Sequence, residues 1–288
     1  MLRILIVGCG DVGLRAARAL RGKARVYGLL RSPERAGALR AAGVIPVSGD
    51  LDDRRSLERL AGLADVVFHF APPPTDGVTD PRTGRLLAAL SAGGRRASVP
   101  RTLVYVSTSG VYGDCAGAVV AETRPARPAN ARAKRRQDAE RQLRRWAARV
   151  GVGLAILRAP GIYAGDRLPE ERVRKGLPAL PPADDIHTNH IHADDLAGLA
   201  IAALFRGARN RVYNAVDDSG LKMGDWFDVV ADHVGVPRPP RLPKAEVMAA
   251  VTPAMRTFLT ESRRLTNGRI KGELRYRLRY PTVREGLA

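Results

Sequence analysis

Residues 2–13, LRILIVGCGDVG, constrain this chain more than any other stretch. Leu2, Ile4, Leu5, Ile6 and Val7 form a short apolar run, rich in β-branched side chains, that suits a strand buried on both faces. Gly8, Gly10 and Gly13 follow at G-x-G-x-x-G spacing, and an Ala/Leu/Arg-rich helical pattern runs from Asp11 to Arg21. In a strand–turn–helix unit each glycine has its own task. Gly8 permits the tight turn, Gly10 lets the backbone approach a pyrophosphate, and Gly13 lets the helix pack closely on the strand. The helix N-terminus, with Asp11 and Val12, presents unpaired N–H groups and a positive dipole end to phosphate. The stretch predicts a dinucleotide site; the bland alternative is a glycine-rich turn that binds nothing.

Residues 24–30 (ARVYGLL) read as a second strand, ending at Arg31-Ser32-Pro33-Glu34-Arg35. The end of that strand lies beside the adenosine ribose, where an NAD site usually carries Asp or Glu. Here no acid occurs between Val12 and Pro33, and Arg31 holds the expected place, with Ser32 beside it. A guanidinium fits a 2′-phosphate through charge-assisted bonds. At roughly 1.5–3 kcal/mol per charged hydrogen bond, that favours NADP over NAD by tens-fold. The other reading of Arg31 is one more surface arginine among 42.

The alternation then continues. Residues 33–42 read as a helix with Pro in its first turn, stopped by Gly43. Residues 44–48 form a third strand running into Gly49-Asp50-Leu51-Asp52, which places Asp50 and Leu51 near an adenine. Residues 54–63 read as helical, and 65–70 (DVVFHF) as a fourth strand with His69 as a core histidine. Ala71 and Pro72 open a Pro-rich turn past the cofactor position. A helix follows over 79–92 with Pro81 near its start and Gly93-Gly94 ending it, and residues 102–107 (TLVYVS) form a fifth strand. Strands and helices alternating in this way predict an α/β fold, a doubly wound parallel Rossmann-like sheet.

From Ser107 the chain reads STSGVYG. Together with the N-terminal glycines it resembles the extended short-chain dehydrogenase/reductase family, the NAD-dependent epimerases and dehydratases. Further segments match in order: Arg158-Ala159-Pro160-Gly161-Ile162-Tyr163, then Asn189 to Ala197 (NHIHADDLA), then Val212-Tyr213-Asn214-Ala215. The ending Tyr280-Pro281-Thr282-Val283-Arg284-Glu285-Gly286-Leu287 resembles the family's terminal Y-P-x-x-x-E-G-L. The resemblance implies that Thr108 hydrogen-bonds the substrate oxygen where hydride is transferred, and that Pro160 borders the cofactor. It also implies a small-molecule substrate with a carbonyl or hydroxyl group, nucleotide-linked in many of the family.

The departure from the pattern carries as much information. The family's catalytic Y-x-x-x-K puts Tyr and Lys one helical turn apart, so that the lysine lowers the tyrosine's pKa and holds the nicotinamide ribose. Here Lys134 takes the lysine position, as ribose ligand or as a solvated helix charge, and Asn130 takes the tyrosine position. No tyrosine lies between Gly113 and Ile162. Asn cannot accept a proton from a hydroxyl. Either another group serves as base, with Tyr112, Tyr163 and His190 as candidates, or the chain is a catalytically silent NADP-binding regulator or scaffold. Atypical branches of this superfamily include NADP-sensing regulators and RNA-associated proteins.

Residues 1–165, with 190–216 returning to them, read as the dinucleotide-binding domain, and 166–189 with 217–288 as a small substrate lobe. Within these, 194–206 reads as a helix capped by Ala193 or Asp194, 211–215 as a late strand, 222–234 as a helix, and 237–243 (PRPPRLP) as a stiff linker. The formal net charge is +19, but the arginines are scattered and concentrated only in 132–149 and 263–279. Neither stretch has the interleaved aromatics of an RNA-stacking platform, so charge by itself does not make a nucleic-acid binder. No apolar run reaches the roughly 20 residues of a membrane span. The N-terminus reads as a core strand rather than a signal peptide. Cys9 and Cys115 form no metal or disulfide pattern, which predicts reduced thiols, no metal site and a cytoplasmic protein. A homodimer is left open.

Overall fold

The computed structural model describes residues 1–92 and 99–288; the Gly93-Gly94 helix stop lies outside them. Seven strands form one parallel sheet: β1 (Leu2–Val7), β2 (Ala24–Leu30), β3 (Val44–Ser48), β4 (Val66–His69), β5 (Thr102–Thr108), β7 (Gly153–Ala159) and β10 (Arg211–Asn214). Their spatial order is β10-β7-β5-β4-β1-β2-β3. Order reverses between β1 and β4, the switch point at which open α/β sheets bind ligands. Two small parallel pairs sit at the C-terminal edge. β6 (Val119–Val120) joins β11 (Arg264–Leu265), and β8 (Gly161–Tyr163) joins β9 (His190–His192).

Alternate residues of each sheet strand feed opposite cores. Ile4, Ile6, Val26, Phe68, Val104 and Leu157 pack under α1 (Asp11–Leu20), α2 (Ala36–Ala41) and α6 (Ala193–Arg206). Leu5, Val7, Val67, Leu103, Leu154 and Ile156 pack under α3 (Pro81–Ser91) and α4 (Ala131–Val150). The buried His69 belongs to this second face, its Nε2 2.9 Å from Thr83 Oγ1, and burial pushes its pKa down to about 3. It is a neutral core histidine.

A separate apolar cluster joins Tyr163, Trp226, Phe227, Val230 and Val283. It unites α5 (Glu170–Arg174), α7 (Met223–Val234) and the terminal α11 (Val283–Leu287), while α8 (Lys244–Ala250) and α9 (Pro253–Leu259) frame a smaller cluster around Val247 and Leu259. Ile270 of α10 (Gly268–Gly272) and Leu274 pack with the sheet and α6. The tail is fastened to α6 by the buried Asp195, which accepts hydrogen bonds from Tyr276 Oη and from the backbone N–H groups of Arg279 and Tyr280 at 2.8–3.0 Å. That bond set joins the H-x-D-D segment to the Y-P ending.

Three local expectations change. The stretch 33–42 begins as a 3-10 turn at Pro33–Arg35 before α2. Only Arg55–Leu60 winds within 54–63, and as 3-10 helix. There Ser56 Oγ and Asp53 Oδ1 bond nearby backbone groups in competition with α geometry. α6 is capped neither by Ala193 nor by Asp194 but by His192, whose Nδ1 accepts from Asp194 N.

β5, β7 and α4 meet at a buried charge. Arg158 Nε and Nη2 donate to Glu140 Oε1 and Oε2 at 3.0 and 2.7 Å, and Ser107 Oγ donates to Oε1 at 2.7 Å. Removing one partner strands the other charge in the core. Glu140→Leu is expected to cost about 3–5 kcal/mol in denaturant unfolding. Glu140→Leu with Arg158→Met should recover much of that loss.

Candidate functional site

The cofactor cradle is built from backbone. Gly8 has φ +101°, and a Cβ there would lie 2.4 Å from Ala71 N. A Cβ on Gly13 would lie 2.5 Å from Gly8 O, whereas one on Gly10 meets nothing within 4 Å. The turn thus needs glycine at its two packed positions and leaves Gly10 open for a bulky anion's approach. Ala71 closes the far side through its N–H, which donates to Val7 O at 2.9 Å, and Pro72 carries the chain away. Asp11 turns aside to pair with Arg15 at 2.7 Å, and Arg15 also binds Asp194 and Asp166 at 2.8 and 2.9 Å, so α1 is pinned to α6.

Arg31 and Ser32 follow the end of β2, and Arg31 is exposed, with no hydrogen bond or ion pair among the described residues. The sequence reading passed over Arg35, whose Nη2 donates to Cys9 O at 3.1 Å, laying a second guanidinium against the glycine turn. Arg35 sits in the quoted R-S-P-E-R, and the only available signal was its spacing from Arg31. Asp50 and Leu51 follow β3, with Asp50 Oδ1 accepting from Asp52 N. These residues fit a dinucleotide on three counts: a glycine cradle, a helix N-terminus and unpaired guanidinium charge.

Beyond the ends of β5 and β7 lies a cavity of about 670 Å³. Thr108, Gly110, Asn130 and Ala133 form one wall, Pro160 to Tyr163 a second, and Trp226, Phe227, Met255 and Phe258 the apolar cover. Thr108 Oγ1 accepts from Gly110 N at 3.2 Å, which leaves its hydroxyl proton for another acceptor. Asn130 caps α4 by accepting from Ala133 N at 2.9 Å, and its Nδ2 donates to Glu261 Oε1 at 3.0 Å. Glu261 Oε2 in turn accepts from Arg263 Nη1 at 2.8 Å. Asn189 holds this segment in place, donating to Arg263 O and accepting from Leu265 N, each at 2.9 Å.

A family description, NAD(P)H-binding, matches residues 8–206. This chain belongs to that NAD(P)H-binding family. A Streptomyces protein named 3-diazoavenalumate denitrifying reductase is 28% identical over 311 residues, covering 99% of each chain. The structure of a functionally unknown conserved protein from Silicibacter pomeroyi is 32% identical, covers 100% of this chain and 97% of that one, and superposes with a TM-score of 0.83. The UDP-glucose 4-epimerase of Thermotoga maritima covers 99% of this chain and 96% of its own at TM-score 0.78, and at 18% identity shares the fold. The NAD(P)H-binding chain shares the fold of this epimerase and carries asparagine where the resemblance places a tyrosine. Among the described residues no helix is long and apolar enough to cross a membrane.

Within this NAD(P)H-binding fold the residues singled out from sequence divide. Thr108, Asn130, Pro160, Tyr163 and His190 all face the cavity. Lys134 lies one helical turn from Asn130 but is exposed and outside the cavity lining. Tyr112 is corrected outright. Its ring is buried beneath the Arg158 guanidinium, its hydroxyl donates to Asn214 Oδ1 at 2.7 Å, and burial raises its pKa. Tyr163 donates to Thr282 O at 3.2 Å, and burial raises its pKa well above that of free tyrosine. Neither phenol is poised as a base. Arg132, Glu261, Arg263 and His187, which no motif marked, also line the cavity.

Behind His190 lies Asp217, whose N–H donates to His190 O. Its Oδ2 is buried without a hydrogen-bond partner, and burial pushes its carboxyl up to about 7. A pKa raised on folding means the folded state holds the proton more tightly, so this contribution is intact below the unfolded value near 4 and is lost as pH rises through about 7. Stability should therefore fall by roughly 4 kcal/mol on this account between about pH 4 and pH 8. Asp217→Asn should flatten that limb of the unfolding profile.

Proposed function

We propose that this chain is an NADP-dependent oxidoreductase of the reductase or epimerase kind, acting on a carbonyl or hydroxyl group held in the cavity. The observation that carries the reading is the Thr108 hydroxyl at the end of β5, facing a largely apolar cavity beyond the glycine cradle. Residues 1–165 with 190–216 hold the dinucleotide, and 166–189 with 217–288 shape the substrate's side. Gly8, Gly10, Asp11, Val12 and Gly13 meet the pyrophosphate. Asp50 and Leu51 flank the adenine, and Ala71, Pro72 and Pro160 border the rest. Arg31, aided by Arg35, takes the 2′-phosphate, which is why NADP is preferred.

When bound, the nicotinamide supplies or accepts the hydride. Thr108 donates a hydrogen bond to the substrate oxygen and orients it. Glu261 supplies the proton-accepting group that Asn130 lacks: its carboxylate takes the proton of a substrate hydroxyl on oxidation and returns it on reduction. Asn130 fixes one Glu261 oxygen and Arg263 the other. The named activity of the Streptomyces relative, a reductase matched along the full length of both chains, supports the reductive direction. The exposure of Lys134 favours one second reading, a silent NADP binder, in which no turnover accompanies cofactor binding.

Thermal unfolding with NADP or NAD checks the cofactor. At a hundredfold excess over Kd the preferred nucleotide should add about 2.7 kcal/mol of apparent stability. Arg31→Asp should remove the preference for NADP. In a carbonyl-substrate screen followed at the nicotinamide absorbance band, Thr108→Ala should lower kcat/KM by about 10- to 100-fold, the value of a hydrogen bond to developing charge. Glu261→Gln should lower kcat while NADP binding, read by the same thermal shift, stays unchanged. Cofactor binding without turnover across the panel would favour the silent reading.

A further inference from the structure

The cavity carries more unanswered nitrogen than a neutral substrate needs. Arg263 is 9% exposed. Its Nη1 is used twice, donating to Gly113 O at 2.7 Å and to Glu261. Its Nε is buried with no hydrogen-bond partner, and its Nη2 makes no hydrogen bond among the described residues. Nε and Nη2 form one edge of the guanidinium, the edge that grips a carboxylate with two parallel N–H···O bonds. A buried N–H left unmatched costs free energy, so an acceptor belongs there.

Two more buried nitrogens on the same cavity have no partner, Nδ1 of His187 and Nδ1 of His190. Burial lowers both pKa values, that of His190 to about 3, so each ring is neutral near pH 7. Each offers hydrogen bonding without charge. Arg132, in the first turn of α4, lines the cavity against the Phe258 ring, 5.6 Å from its centroid, and no carboxylate pairs with it among the described residues. Its charged neighbours Arg135 and Arg136 repel it. The charged lining is Arg132, Arg167, Glu261 and Arg263, a surplus of positive charge. Arg167 spends part of its charge on Asp11 at 3.4 Å; Arg132 spends none.

One side of the lining is aromatic and apolar. Trp226 lies against His190 with ring centroids 4.4 Å apart and planes 36° apart, and Phe227, Phe258, Met223 and Met255 continue that surface. Aromatic walls of this kind hold a planar body by stacking and by contact with polarisable sulfur.

We propose that the substrate is a compact aromatic carboxylate, its acid group held by the free Nε/Nη2 edge of Arg263 with Arg132 at the mouth, and its ring covered by Trp226 and Phe258. This deepens the oxidoreductase reading and rests on it. A carboxylate on that edge shares the guanidinium with Glu261, and Arg132 balances the second negative charge.

Calorimetric titration of the NADP-loaded chain tests the assignment, with trans-cinnamate, its neutral isostere trans-cinnamamide, inorganic phosphate and UDP-glucose as probes. Cinnamate is expected to bind about tenfold or more tighter than cinnamamide, and tighter than phosphate or UDP-glucose. Arg263→Lys, which keeps the charge but loses the two-pronged edge, should bring the acid-to-amide ratio close to one. Arg132→Gln, at the more exposed mouth, should weaken cinnamate several-fold and leave cinnamamide unchanged. Equal binding of acid and amide by the wild-type chain would overturn the proposal, as would tighter binding of UDP-glucose. NADPH titration alone scores the cofactor reading separately. If NADPH fails to bind, that reading falls, and cinnamate against cinnamamide on the free chain still decides the carboxylate assignment.

Discussion

The bidentate pair between Arg158 and Glu140 sits where the sheet, the long helix and the cavity meet. Both side chains are almost wholly buried, at 5% and 3% exposure, so neither charge can be solvated by rotating outward. They are stable only together, and their alignment fixes three elements at once. Ser107 on β5 bonds the carboxylate, Arg158 is on β7, and Glu140 is on α4. The guanidinium face also rests on the Tyr112 ring, 4.6 Å from its centroid, and Tyr112 passes the connection to Asn214 on β10. Asn214 then holds the carbonyls of Val120 and Thr266 through its Nδ2. One buried charge pair therefore sets the spacing between Thr108, which follows Ser107, and Asn130, which caps α4.

From that fixed wall the chemistry follows by what the opposite side brings. The segment after α9 delivers Glu261 and Arg263, and Asn189 holds it by two backbone bonds. The tyrosine position is thus occupied by a residue that cannot exchange a proton but holds the Glu261 carboxylate. The same asparagine caps its helix through its side-chain oxygen, a role tyrosine cannot fill. Loss of the phenol and gain of the cap are one substitution with two consequences. The same side chain also gives the tail's carboxylate a hydrogen-bond donor on the wall.

Strand–turn–helix at the N-terminus was legible because it is local. Apolar run, glycine spacing and helical periodicity all lie within residues 2–21, and backbone sterics do the rest. The later motifs were legible as an ordered set. Less legible were residues whose meaning is a partner distant in sequence. Glu261 is separated from Asn130 by 131 positions and Arg263 from Gly113 by 150. Tyr112 misled for the same reason. Its place in V-Y-G resembled a site residue, while its hydroxyl is committed to Asn214, 102 positions away.

The sequence by itself determined the parallel sheet, the glycine cradle and the missing phenol, since these depend on side-chain size, backbone freedom and local period. Tertiary structure alone decided which arginines are answered and which are not. Of 42 identical guanidinium groups, Arg158 is neutralised in the core, Arg15 joins three carboxylates, and Arg263, in the cavity lining, keeps a buried Nε without a partner. The physical reason is that a charge acquires its function from desolvation and from the geometry of its neighbours, and both exist only once distant segments have packed.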